Sequence, residues 1–244
     1  MGRLKVSYFK RIYIGLKLDF LFSLLIPFLI MIMLLIVDYR LRAAGIDPDL
    51  ISFGLIGDSG GAMIKLAFIL LVLRYVLKAL CALSIISGLG EIEANNKDIR
   101  YSRFLYSLYS LANAIMLIVK IVGISFFGRE ISLIEASSFT VRTVIFLLFA
   151  LATHFLLKGY ESIMNSIGQQ ADRKITRRAD MVYSAVLFVY VGIIIMTIFD
   201  IDSPFILLIV SLVAIIAGLL FLLIQISILK YTRRIMDIIT AISD

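Results

Sequence analysis

Lys65, Lys120 and Arg142 interrupt long apolar runs, and a charge in such a run is the first place to look for chemistry. An ionised side chain at the centre of a bilayer costs at least roughly 2.5–3.5 kcal/mol, so it is rare there without a purpose. These three sit near one end of their runs, where long side chains can also reach the interface. Together they would form an anion-attracting external vestibule, with Asp38, Asp200 and Asp202 as nearby acidic partners. Arg74 lies about one turn inside the opposite end of its run. His154 is the only histidine and the one side chain here with an ordinary titration range near neutrality.

Other chemistry has little to work with. His154 and Cys81 stand 73 residues apart, and clustered metal ligands at short spacing are missing. There is no Walker A loop and no GxGxxG. The glycine-rich 57–61 segment is a turn or helix start. Asp47-Pro48-Asp49 and Asp200-Ile201-Asp202 contain paired acids, which more commonly cap helices than hold a divalent cation. Neither an enzyme nor a cofactor is expected.

The elements that must position these residues are membrane helices. Hydrophobic residues make up 61% of the 244-residue chain and charged residues 17%. Soluble domains average about 45–50% and about 25%. Apolar runs cover 20–37, 62–77, 105–127, 139–157, 182–199 and 204–228, each near the ~20 residues that cross a bilayer core. The fold class expected is therefore an all-α membrane protein of six transmembrane helices. The first run, 20–37, follows a basic amphipathic leader, 1–19, and is read as a retained helix rather than as part of a signal peptide.

Positive charge sorts by side. Sixteen Lys and Arg lie in the leader, the second and fourth connections and the tail, against three in the opposite connections, Arg40, Arg42 and Arg129. Cytoplasmic loops retain Lys and Arg, so both termini are expected in the cytoplasm, with the chain in the plasma membrane. The net charge of +7 then reflects topology and attraction to anionic lipid at the cytoplasmic face. A basic stripe for nucleic acid is not evident, and no nucleic-acid partner is expected.

A phrase recurs after three of these runs: Gly45-Ile46-Asp47, Gly123-Ile124-Ser125 and Asp200-Ile201-Asp202, with steps of 78 and 77 residues. A fixed period is the mark of a repeated unit. Three parallel hairpins are expected, at 20–78, 104–158 and 182–228, with the phrase in each external turn. Residues 79–89 would run along the cytoplasmic face. In the third hairpin the turn shrinks and the last helix lengthens. Ala214 and Gly218 stand there at the small-xxx-small spacing that lets helices approach closely. An amphipathic helix, 229–244, follows, with Ile235, Ile238, Ile239 and Ile242 on one face, suited to the membrane surface or to a second copy.

On these residues the last unit resembles the membrane part of the small-conductance mechanosensitive channels. The basic linker 173–178, the helix 182–199, the short Asp200-Ile201-Asp202 turn, the long helix 204–228 and the amphipathic 229–244 stand in the same order. Ala214, Ala217 and Gly218 hold the place of that family's pore-lining ladder of small residues. The resemblance implies an oligomer with the last hairpin nearest the axis, and opening under membrane tension. The family continues into a cytoplasmic β-containing domain, whereas this sequence reaches Asp244. Two other functions fit the same pattern: a platform subunit of a secretion, pilus or DNA-transfer machine, and a small secondary carrier. The partners expected are lipid, further copies of the chain or the other subunits of such a complex.

Overall fold

A computed structural model describes residues 5–43, 58–92, 96–126, 131–199 and 203–243. Among them are six α-helices and no strand: α1 (Val6–Ala43), α2 (Asp58–Gly90), α3 (Lys97–Phe126), α4 (Ile131–Ser166), α5 (Arg173–Ile198) and α6 (Pro204–Ser243). Five of them (α1, α2, α4, α5 and α6) contain segments long and apolar enough to cross a membrane. The 105–127 run lies largely in α3, and the side chains from 119 onward fall outside those described. Composition and helix length are those of a multi-pass membrane protein.

The helices overrun the boundaries drawn from hydropathy. At 1.5 Å per residue, the 38 residues of α1 and 40 of α6 extend ~57 and ~60 Å, about twice the hydrocarbon core. The leader from Val6 onward is the first part of α1, and the tail is the last part of α6. Helix α2 continues unbroken through 79–89. Gly123-Ile124-Ser125 lies in the final turns of α3 rather than in a turn, because extending an already formed helix costs far less than nucleating one. The other two copies of the phrase lie outside the described residues.

Each helix packs on its neighbours in sequence, and α6 returns to α1, so the six close into a ring in chain order. Consecutive helices run antiparallel. Two glycines bring α1 and α2 together reciprocally. A Cβ at Gly15 would lie 2.6 Å from Ile85 Cγ1 and 2.8 Å from the Cys81 carbonyl oxygen. One at Gly88 would lie 2.6 Å from both Ile12 Cγ1 and the Tyr8 carbonyl oxygen. Asn96 starts α3: its Oδ1 accepts the Asp98 and Ile99 amides at 3.0 and 3.2 Å, while its Nδ2 donates to the Gly159 carbonyl on α4. Gly168, at φ 73°, ends the α4 turn, with the Gln169 amide reaching back to the Met164 carbonyl at 2.9 Å.

Burial is concentrated at one end of the ring. The buried core draws on Phe9, Ile12 and Leu16 of α1, Ile85 and Leu89 of α2, Ile99 and Tyr106 of α3, Leu156 and Tyr160 of α4, Ala179 and Tyr183 of α5, and Ile228, Tyr231 and Ile235 of α6. The apolar face of the tail is therefore spent inside the chain, where Ile235 and Ile239 are buried. Only Ile242 of the four isoleucines is strongly exposed. The leader behaves in the same way. Toward the other end, the last buried side chains are Ile26, Met116, Ile145 and Ala217. Beyond them the described helices present Phe28, Leu35, Leu66, Ile118, Phe199 and Phe205 to their surroundings.

A charged cavity between six helices

Where the core ends, the helices line a partly open cavity of 430 Å³ to which all six contribute. Such a volume lies in the range of about 300–1,000 Å³ typical of small-molecule sites. Its polar side is built by Asp19 and Ser23 of α1, Arg74 and Lys78 of α2, and Tyr109 and Asn113 of α3, with Arg142 of α4. Its apolar side is built by Ile145, Phe146 and Phe149 of α4, Val186, Val189 and Ile193 of α5, and Ala214, Ala217, Gly218 and Phe221 of α6, with Tyr190 among them.

Positions 74 and 78 are one turn apart, so Arg74 and Lys78 stack on the same face of α2. The Lys78 ammonium donates to the Tyr109 hydroxyl at 3.2 Å, and that hydroxyl donates to Asp19 Oδ1 at 3.1 Å. Lys78 and Asp19 are themselves 3.9 Å apart, and the ammonium lies 5.9 Å from the centre of the Tyr109 ring. Asp19 is 5% exposed, which makes this a buried carboxylate whose partners come from two other helices. Among the described lining residues three are basic, Arg74, Lys78 and Arg142, and one is a carboxylate, Asp19, in a wall that is otherwise largely apolar. Water would otherwise stabilise the basic groups, so an anion placed there would replace costly desolvation with direct attraction.

Aromatic rings close the cavity toward the packed end. Phe149 contacts Tyr106, Tyr109, Tyr183 and Phe221 at ring-centre distances of 5.5–6.4 Å, and Phe146 contacts Tyr183, Tyr190 and Phe221 at 5.6–6.1 Å. Polar groups fix this layer in place: the Tyr106 hydroxyl bonds to Thr153 at 3.1 Å, and Gln225 Nε2 donates to the Tyr183 hydroxyl at 3.0 Å. Deeper still, Tyr160 stands 6.1 Å from both Phe9 and Tyr231.

The residues singled out from sequence separate here. Arg142, expected in an external vestibule, and Ala214, Ala217 and Gly218, expected on a helix-packing or pore-lining surface, all line this cavity. Lys65 and Lys120 lie in α2 and α3 with side chains outside those described, and Asp200 and Asp202 lie outside the described residues. Asp38 bonds to Arg42 one turn away at 3.0 Å, an exposed pair on α1. His154 is not in the cavity. Its Nδ1 lies 2.7 Å from Asp180 Oδ1 in a separate groove of 220 Å³ between α4 and α5.

Sequence reasoning missed Asp19, Lys78, Tyr109 and Asn113 as site residues. One signal was present: Asp19 is the only acid among the first 37 residues. Among the described residues no group of three or more His, Cys, Asp or Glu is placed to hold a metal ion. No family model, curated protein or solved structure matches the chain.

Proposed function

We propose that this protein is a transport-type integral membrane protein that accepts an anionic solute in the cavity between its six helices. The observation that carries this reading is the lining: among the described residues, three cations and one carboxylate drawn from α1, α2 and α4, within one chain. An aromatic floor on one side suits a carrier, which exposes a central site to one side of the membrane at a time. With both termini in the cytoplasm, as the Lys and Arg distribution favours, the floor faces the cytoplasm. The reading is non-enzymatic, and the plasma membrane is its setting.

Proteoliposomes test it. The expected result is saturable, anion-dependent counterflow without unitary currents, abolished or reduced at least about tenfold by Arg74→Gln, as loss of one charge-assisted bond implies. Tension-activated unitary currents from the pure protein would overturn it in favour of a channel.

One observation favours that second reading. Leu208, Leu212, Ile215, Leu219 and Leu223 form a stripe along α6, each more than half exposed. Their 3- and 4-residue spacing is that of a helix–helix seam. A ring of copies with the last hairpin at its axis would cover it, as would lipid. Molecular mass in nanodiscs separates the two: a strict monomer removes the oligomeric pore.

A further inference from the structure

The cavity has two chemically distinct halves, and that division says more than charge alone. Charged and amide groups stand on α1, α2, α3 and the adjoining part of α4, whereas the wall from α5 and α6 is almost wholly apolar. A small inorganic anion would use only the first half. It would leave the surfaces of Val186, Val189, Ile193 and Ala217 facing empty space or poorly bonded water. A neutral hydrocarbon would use only the second and make no use of the Arg74 guanidinium or its basic neighbours.

We infer that the cavity takes a single-chain amphiphile with one anionic head group, a phosphate monoester or a carboxylate. The head lies among Arg74, Lys78 and Arg142, and the chain lies along α5 and α6. The inference rests on the anion-binding reading above and narrows its ligand class. Guanidinium groups match the paired oxygens of either head group. Lys78 already has Asp19 within 3.9 Å and Tyr109 at 3.2 Å, so its charge is held in position before the ligand arrives. Gly218 is the shallow point of the apolar wall, because a Cβ built there meets nothing within 4 Å. Room for a chain beside α6 therefore comes from the lack of a side chain at this position.

The test uses the full chain in phosphatidylcholine nanodiscs, with empty nanodiscs as the blank, and calorimetric titration of three probes. Decyl phosphate is expected to bind saturably, one per chain. Inorganic phosphate and decanol are each expected to bind at least about tenfold more weakly, since each forfeits one half of the site. Arg74→Gln is expected to weaken decyl phosphate by about tenfold or more and leave decanol unchanged. Gly218→Leu, which meets open space, is expected to weaken decyl phosphate and leave inorganic phosphate unchanged.

Inorganic phosphate binding as tightly as decyl phosphate would overturn the amphiphile and leave the anion site standing. Equal binding of decanol and decyl phosphate would overturn the head-group assignment. Competition by phosphatidic acid built into the nanodisc would overturn the single-chain assignment and give the site to a bilayer lipid. Saturable binding by none of the anions would overturn both this inference and the reading on which it rests.

Discussion

The Asp19–Tyr109–Lys78 chain decides most of the site's energetics. A buried carboxylate tolerates its place only while its partners remain, and removing one partner of a buried pair costs roughly 3–5 kcal/mol because the other charge is stranded. Lys78→Met should therefore lower the unfolding midpoint strongly, by thermal denaturation in detergent. Asp19→Asn with Lys78→Met should restore much of the loss, since the neutral pair strands no charge. An additive outcome in this double-mutant cycle would show the two side chains to be uncoupled. The His154–Asp180 pair is different. Its side chains are 24% and 41% exposed, so Asp180→Asn should cost no more than about 1 kcal/mol by the same measurement. Asp38 with Arg42 is more exposed still and should matter less.

Glycine is the main device at the scale of the helix pair. Gly15 and Gly88 let α1 and α2 approach until one backbone touches the other, and no side chain fits between them. Gly15→Leu should force the helices apart, at the ~1–3 kcal/mol typical of overpacking or more, given backbone on the opposing side. Cys81, the sole cysteine, reports this directly. It is 3% exposed beside the contact, so a maleimide should label it slowly in the native protein and faster in the Gly15→Leu variant. Equal labelling rates would mean that the contact does not close. Gly192 on α5 supplies the contrast. A Cβ there meets nothing, and Gly192→Ala should be neutral or stabilising by up to about 1 kcal/mol through helix propensity.

The whole molecule has a packed end and an open one. Side chains from all six helices interlock around Phe9, Tyr106, Tyr160 and Tyr231, while beyond Ile26, Met116, Ile145 and Ala217 no side chain is buried among the described residues. Local opening follows the density of buried contacts. Amide exchange in detergent should therefore be slowest in the halves nearest the termini of the chain, around Leu16, Ile85, Leu156 and Ile228, and faster in α1 beyond Ile26. Uniform protection along α1 would contradict this division. It also suits the proposed transport, because the open halves can rearrange while the aromatic layer stays intact.

Much of this organisation is written in the linear pattern. Apolar runs of membrane length, separated by short polar connections, require helices, since a backbone in hydrocarbon must satisfy its own hydrogen bonds. Short connections then make neighbours antiparallel. Among the candidate residues, the basic Arg142 was visible because it interrupts such a run, and Ala214, Ala217 and Gly218 because small residues recur there at close-packing spacing. Their meeting place was not. A helix that is apolar on every side carries no periodic signal of which face turns inward. Asp19, Arg74, Lys78, Tyr109 and Arg142 span more than 120 positions of sequence, and their convergence depends on how the three connections between α1 and α4 rotate the helices. Composition and hydropathy thus determined that this chain is a bundle of membrane-length helices. Only the closure of α6 onto α1 decided that scattered charges would face one cavity, because close packing at the glycine and aromatic contacts, rather than hydropathy, sets each helix's rotation.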